Sequence, residues 1–129
     1  MAEDTAPHII VKEQRHALVL PPTFAAREEV VIGLSEAVTE MQHRRALAAA
    51  ILLCTPSLLK LSALDFTKAK YNIQVFGHAA YGWLHDQGVT LDEVVDVGSA
   101  AVKLCRAALY PSATEENAAA GFTSPPAAG

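Results

Sequence analysis

Apolar residues recur at steps of three and four along most of this chain, and the breaks in that rhythm carry helix-end signals. Between Trp83 and Val95 one helix ends and the next begins within a few residues. Gly88 suits the left-handed position that follows a helix C-terminus. Thr90 and Glu93 have the spacing of a capping box, in which each side chain satisfies a backbone N–H of the new first turn. The helix that follows, about Leu91 to Leu109, puts Leu91, Val94, Val95, Gly98, Val102, Cys105 and Leu109 on one stripe. Asp92, Glu93 and Asp96 sit near its start and Lys103 and Arg106 near its end, as the helix dipole favours.

Upstream, Phe24, Val31, Leu34, Val38 and Met41 recur at helical steps, opposite Glu28, Glu29, Ser35 and Glu36. Thr39 and Gln42 repeat the capping-box spacing. The segment therefore reads as a helix to near Ala37 followed by another from about Glu40 to Cys54, or as one bent helix. Thr55-Pro56-Ser57 stops it, because proline lacks the N–H and disfavours helix in the residue before it. Leu58 to Leu64 is apolar and ambiguous. Asp65 is then expected to cap a helix from about Phe66 to Gln87, on which Ile73, Phe76, Gly77, Ala80 and Leu84 share a face.

Ahead of Pro21-Pro22, Ile9 to Val11 and Ala17 to Leu20 are β-prone and can pair across Lys12 to His16, although no Asn-Gly marks a tight turn. Two strands alone are marginal, so they must lie on the helices or join another chain's sheet. Residues 1–7 are expected to be disordered, 8–110 to form a single helical domain, and 111–129 to hold a short helix capped by Ser112 and Glu115 before a flexible tail. The expected fold is mainly α, a compact bundle of four to five helices with a short N-terminal β-hairpin.

Composition sharpens this picture. Of 129 residues, 51% are hydrophobic but only 6% aromatic, so the core must be built from Ala, Val, Leu and Ile, with helices closely spaced. Such a core is thin, and association with a second copy or a partner is one way to bury more surface, although an aromatic-poor monomer is just as ordinary. Acids outnumber bases, 14 to 10, and no segment is a basic arm, which argues against a nucleic-acid partner. His43-Arg44-Arg45 is the one local basic cluster, and a solvated helix face accounts for it. The acidic start, Met1 to Pro7, lacks the features of a secretory signal. The longest nearly apolar run, Ala46 to Leu59, is broken by Thr55 to Ser57 and falls short of the roughly 20 residues needed to cross a bilayer, so no membrane association is expected.

Little in the chain points to chemistry. His78 and His85 lie about two turns, roughly 10 Å, apart on one helix, too far to chelate one metal ion directly. Cys54 and Cys105 stand alone, without CxxC or Cys/His spacing, and read as small core residues in a reducing cytosol. Glu28-Glu29 and Glu115-Glu116 are adjacent pairs that helical geometry aims apart. No nucleophile elbow, glycine-rich phosphate loop or cofactor motif is present, so neither an enzyme nor a cofactor is expected. Aromatics concentrate around Tyr71, Phe76, Tyr81 and Trp83. If Phe76 points inward with Leu84, Tyr81 and Trp83 turn partly outward, and with His78 they make the expected partner-binding residues. The alternative is that Trp83 packs on the hairpin or on the first helix.

In its order of features the chain resembles the tail assembly chaperones of long-tailed bacteriophages and gene transfer agents. The resemblance runs over roughly residues 15–110. It comprises a β-prone N-terminus ending at Pro21-Pro-Thr-Phe24, an acidic helix, the helix Arg44-Arg-Ala-Leu-Ala-Ala-Ala-Ile51, a helix with Tyr81-Gly82 and Leu84, then Gly88-Val89, Leu91-Asp-Glu93-Val-Val and Gly98. It implies a non-enzymatic protein of the bacterial host's cytoplasm that binds the tape-measure protein and presents it to tail-tube protein during assembly. The alternative is a structural virion component, a tail-completion or head-tail connector protein. A third is a small regulator that binds nucleic acid through Arg44 and Arg45.

Overall fold

A computed structural model describes residues 7–110. Two short strands, β1 (His8–Val11) and β2 (Gln14–Ala17), precede five helices: α1 (Phe24–Ser35), α2 (Glu40–Leu53), α3 (Pro56–Ser62), α4 (Ile73–Asp86) and α5 (Leu91–Leu109). The expected termini, disordered residues 1–7 and the short helix and tail over 111–129, lie outside the described residues except for Pro7, whose carbonyl accepts a hydrogen bond from Leu18. Among the described residues no single helix is long and apolar enough to cross a membrane. Only α2 and α3 together, bent by 106°, reach that hydropathy, and the apolar half of α2 is buried in the protein.

The helix-end chemistry forms as the residues dictate. Thr39 and Gln42 close a capping box on α2, as do Thr90 and Glu93 on α5, so residues 23–54 form two helices rather than a bent one. After α4, Gly88 takes φ +89° and its N–H reaches the His85 carbonyl, while Val89 N–H reaches the Leu84 carbonyl and both apolar side chains are buried. That is a Schellman end. Replacing Thr90 by alanine removes one acceptor for a first-turn N–H; an expected loss of about 1 kcal/mol is measurable by urea unfolding.

The hairpin is tighter than its sequence signalled. β1 and β2 pair antiparallel with Val11 opposite Gln14, so the turn is Lys12-Glu13 and the second strand begins three residues before Ala17. Lys12 (φ 50°) and Glu13 (φ 69°) both occupy the left-handed region, as a two-residue type I′ loop requires. Neither residue favours it. Lys12→Asn with Glu13→Gly is therefore expected to raise stability by about 1 kcal/mol, read as a higher urea midpoint; an unchanged or lower midpoint would contradict this strain. Ile9, Val11 and His16 face the helices, and His16 Nδ1 shares a 2.7 Å hydrogen bond with Ser57 Oγ at the start of α3.

Other expectations need correction. The helix expected from Phe66 begins at Ile73, capped by Asn72. Asp65 instead accepts from Thr67 N–H (2.9 Å) in a local turn, its carboxyl held below the usual carboxylate range mainly by the Thr67 hydroxyl. Residues 66–71 stay in turns because Lys70 and Tyr71 have positive φ and Phe66 packs edge-on against Tyr71 and Phe76. Of the ambiguous Leu58 to Leu64 stretch, Leu58 to Ser62 belongs to α3, which Pro56 opens at its first helical position, where its missing N–H costs nothing, and Ala63 ends the helix in the left-handed conformation. Finally, Phe24, Val38 and Met41 are exposed; Val31 is buried as the periodicity placed it, but its inward companions on α1 are Ala26 and Val30. On α5, Leu91 and Val95 likewise lie at the surface while Val94, Gly98, Val102 and Cys105 are buried.

One cluster forms the core, with α2 at its centre and α1, α3, α4 and α5 around it. Every residue from Ala46 to Thr55 is buried. α4 and α5 approach α2 closely through glycines: Gly77 sits against the Arg45 carbonyl, and a Cβ on Gly98 would stand 2.6 Å from Leu47 Cβ. The packing also brings Cys54 and Cys105, isolated in sequence, into contact.

Candidate functional site

The crossing of α4 over α2 brings cationic, amide, imidazole and apolar side chains onto one surface. Where Gly77 meets the Arg45 backbone, the Arg44 and Arg45 side chains leave α2 on either side of the contact and meet different residues of α4. Arg44 donates to Glu40 at 2.6 Å, the i,i+4 geometry of a helix-surface ion pair. That bond holds the Arg44 guanidinium above its ordinary pKa, with a smaller contribution from Tyr81.

Arg45 is placed differently. It forms no ion pair among the described residues and lines a cleft of about 380 Å³ with Gln74, Val75 and His78. Gln74 Nε2 donates to the Gln42 carbonyl at 2.9 Å, which fixes the amide's orientation. Arg45 Nε and Gln74 Oε1 are both closed off from solvent without a hydrogen-bond partner among the described residues. A buried donor and a buried acceptor left unmade cost about 1–3 kcal/mol each. Val75, 57% exposed, and Met41, 40% exposed and one turn before Arg45 on α2, add uncovered apolar surface.

The three residues expected to bind a partner do not share a face. His78 is exposed at this cleft, and Tyr81 follows it by one helical step, half-buried beside Arg44. Trp83 lies about 200° around the helix from Tyr81. It is half-buried and lines a separate cleft with Val11, Gln14, His16 and Leu61, so its ring faces the hairpin. Tyr81 also borders a recess of about 340 Å³ with His85, Gly88 and Leu91 at the α4–α5 junction. Sequence reasoning missed Gln74 and Val75 and read Arg45 only as part of a basic cluster. The one available signal was that Gln74 and His78 are four apart on a helix whose opposite face is apolar.

Among the described residues no three His, Cys, Asp or Glu side chains converge as metal ligands. The fold and this surface define a small helical domain with an N-terminal hairpin, bearing a mixed cationic and apolar face. The chain matches no protein-family model, no curated protein and no solved structure.

Proposed function

We propose that this protein is a tail assembly chaperone of a long-tailed phage or gene transfer agent, and that it engages the tape-measure protein through the α2–α4 face. The observation that supports this reading most directly is Arg45, uncommitted to any described carboxylate and flanked by exposed Val75 and Met41. Arginine beside apolar surface is the composition of an interface anchor, where a desolvated guanidinium gains most from a partner's acceptor. A tape-measure chain is long and helical, and its exposed apolar stripe needs cover until tube subunits enclose it. The order of elements that carries the resemblance supplies the rest of the argument.

Coexpression with a tape-measure protein from the same source tests the reading. The chaperone is expected to keep that protein soluble and to copurify with it. Arg45→Glu is expected to weaken the complex at least tenfold, measured by titration calorimetry against a soluble tape-measure fragment. An insoluble tape-measure protein with no copurification would count against a chaperone. Mass spectrometry of purified particles separates the virion alternative, since a chaperone leaves the finished tail and a connector stays. The nucleic-acid alternative loses half of its basic cluster to the Arg44–Glu40 pair.

A further inference from the structure

Cys54 ends α2 and Cys105 lies on the inner stripe of α5, yet their sulfurs stand 3.7 Å apart and both residues are wholly buried. Cys54 Sγ also lies 3.9 Å from the Ala101 carbonyl, one turn before Cys105 on the same helix face. A tetrahedral metal site would need further ligands, and none converges here among the described residues. Two thiols in contact need only lose two hydrogens and close by about 1.7 Å to become a disulfide.

We propose that Cys54 and Cys105 form a built-in oxidisable pair, which a peroxide converts into an intramolecular disulfide that joins α2 to α5. In the pair, the hydrogen bond with Cys105 and then burial push the Cys54 thiol up, while the hydrogen bond with Cys54 lowers Cys105. Cys105 therefore attacks first. Its thiolate takes one peroxide oxygen as the O–O bond breaks, giving a sulfenic acid, and the departing hydroxide collects a proton as water. The Cys54 thiol then gives up its proton as its sulfur attacks the sulfenyl sulfur, the S–O bond breaks, and the departing hydroxide takes that proton and leaves as a second water. Two thiols are oxidised to one disulfide and one peroxide is reduced to two waters.

Burial makes the reaction slow and conditional, because peroxide reaches Cys105 only when the last turns of α5 open. Cys105 is four residues from the end of that helix, where local opening costs least. Once closed, the bond links positions 51 apart and restrains the unfolded chain. It also fastens the chain leaving the hairpin, since Val19 N–H donates to the Cys54 carbonyl at 2.7 Å. The outcome is a protein that gains stability under oxidation. This inference is independent of which partner the α2–α4 face takes.

The test exposes the reduced protein to hydrogen peroxide, quenches with an alkylating agent and reads the intact mass. A monomer lighter by two hydrogens is expected, with no thiol left to react after denaturation and a Tm raised by at least about 5 °C, all reversed by dithiothreitol. Cys54→Ala and Cys105→Ala should each abolish the mass loss and the rise in Tm; Cys54→Ser and Cys105→Ser provide a second pair should alanine impair folding. Disulfide-linked dimers would overturn the proposal. So would oxygen additions without a cross-link, a cross-link without a higher Tm, or free thiols at a peroxide dose that fully oxidises glutathione.

Discussion

Gly77→Ala is expected to destabilise the protein by about 3 kcal/mol, even though alanine is the better helix former by about 1 kcal/mol. A Cβ at this position would overlap the Arg45 carbonyl and crowd the Arg45 Cβ. The obstacle is backbone rather than the end of a flexible side chain, so relief requires α4 to lift from α2. Lifting it opens the seam that buries Ile73, Phe76, Ala80 and Leu84. Gly82→Ala is the matched control, on the same helix with nothing within 4 Å of its added Cβ, and should stabilise by about 0.5–1 kcal/mol. Urea midpoints for the two variants should therefore move in opposite directions. Equal shifts would mean that α4 does not cross α2 at Gly77.

Leu52→Ala is expected to cost about 2–5 kcal/mol, a large share of the stability of a domain this size. Leu52 has no exposed surface and lies in the part of α2 that is buried on every side, so little can collapse into the space its side chain vacates. Val38→Ala makes the informative contrast. Periodicity places Val38 on the same apolar stripe as Val31 and Leu34, yet it is 83% exposed in the link between α1 and α2, and its truncation should stay within about 0.5 kcal/mol. Thermal unfolding followed by circular dichroism reads both. A Val38→Ala loss comparable to that of Leu52→Ala would restore the periodicity reading.

Elements governed by local chemistry were legible in the chain. Thr39 with Gln42, Gly88, and Thr90 with Glu93 each act on backbone groups within a few residues, so α2, the end of α4 and the start of α5 could be read directly. The start of α4 was not. Asp65 and Asn72 are both competent caps, and the choice falls to Asn72 because Phe66, Tyr71 and Phe76 pack together and draw the intervening chain into turns. The hairpin turn was hidden for a related reason. Lys12 and Glu13 carry no preference for positive φ, and the conformation is imposed by docking Ile9, Val11 and His16 on the helices.

The candidate site shows the same divide. His78 and Tyr81 could be picked out as outward-facing residues of an amphipathic helix, but Trp83 turns toward the hairpin, a neighbour that helical periodicity does not see. Gln74 and Arg45 come from different helices and meet only because Gly77 lets those helices touch.

By itself the sequence determined that this protein is helical, where its best-capped helices begin and end, and that its core is built of small aliphatic residues. Backbone hydrogen bonding and side-chain entropy act over a few residues, so those properties are written locally. Only the tertiary structure decided that α2 is enclosed on all sides, that Arg45 opens beside Gln74, and that Cys54 touches Cys105. Each of these is a meeting of residues about 30 to 50 positions apart in the chain, and close packing of whole helices, rather than the preference of any one segment, brings them together.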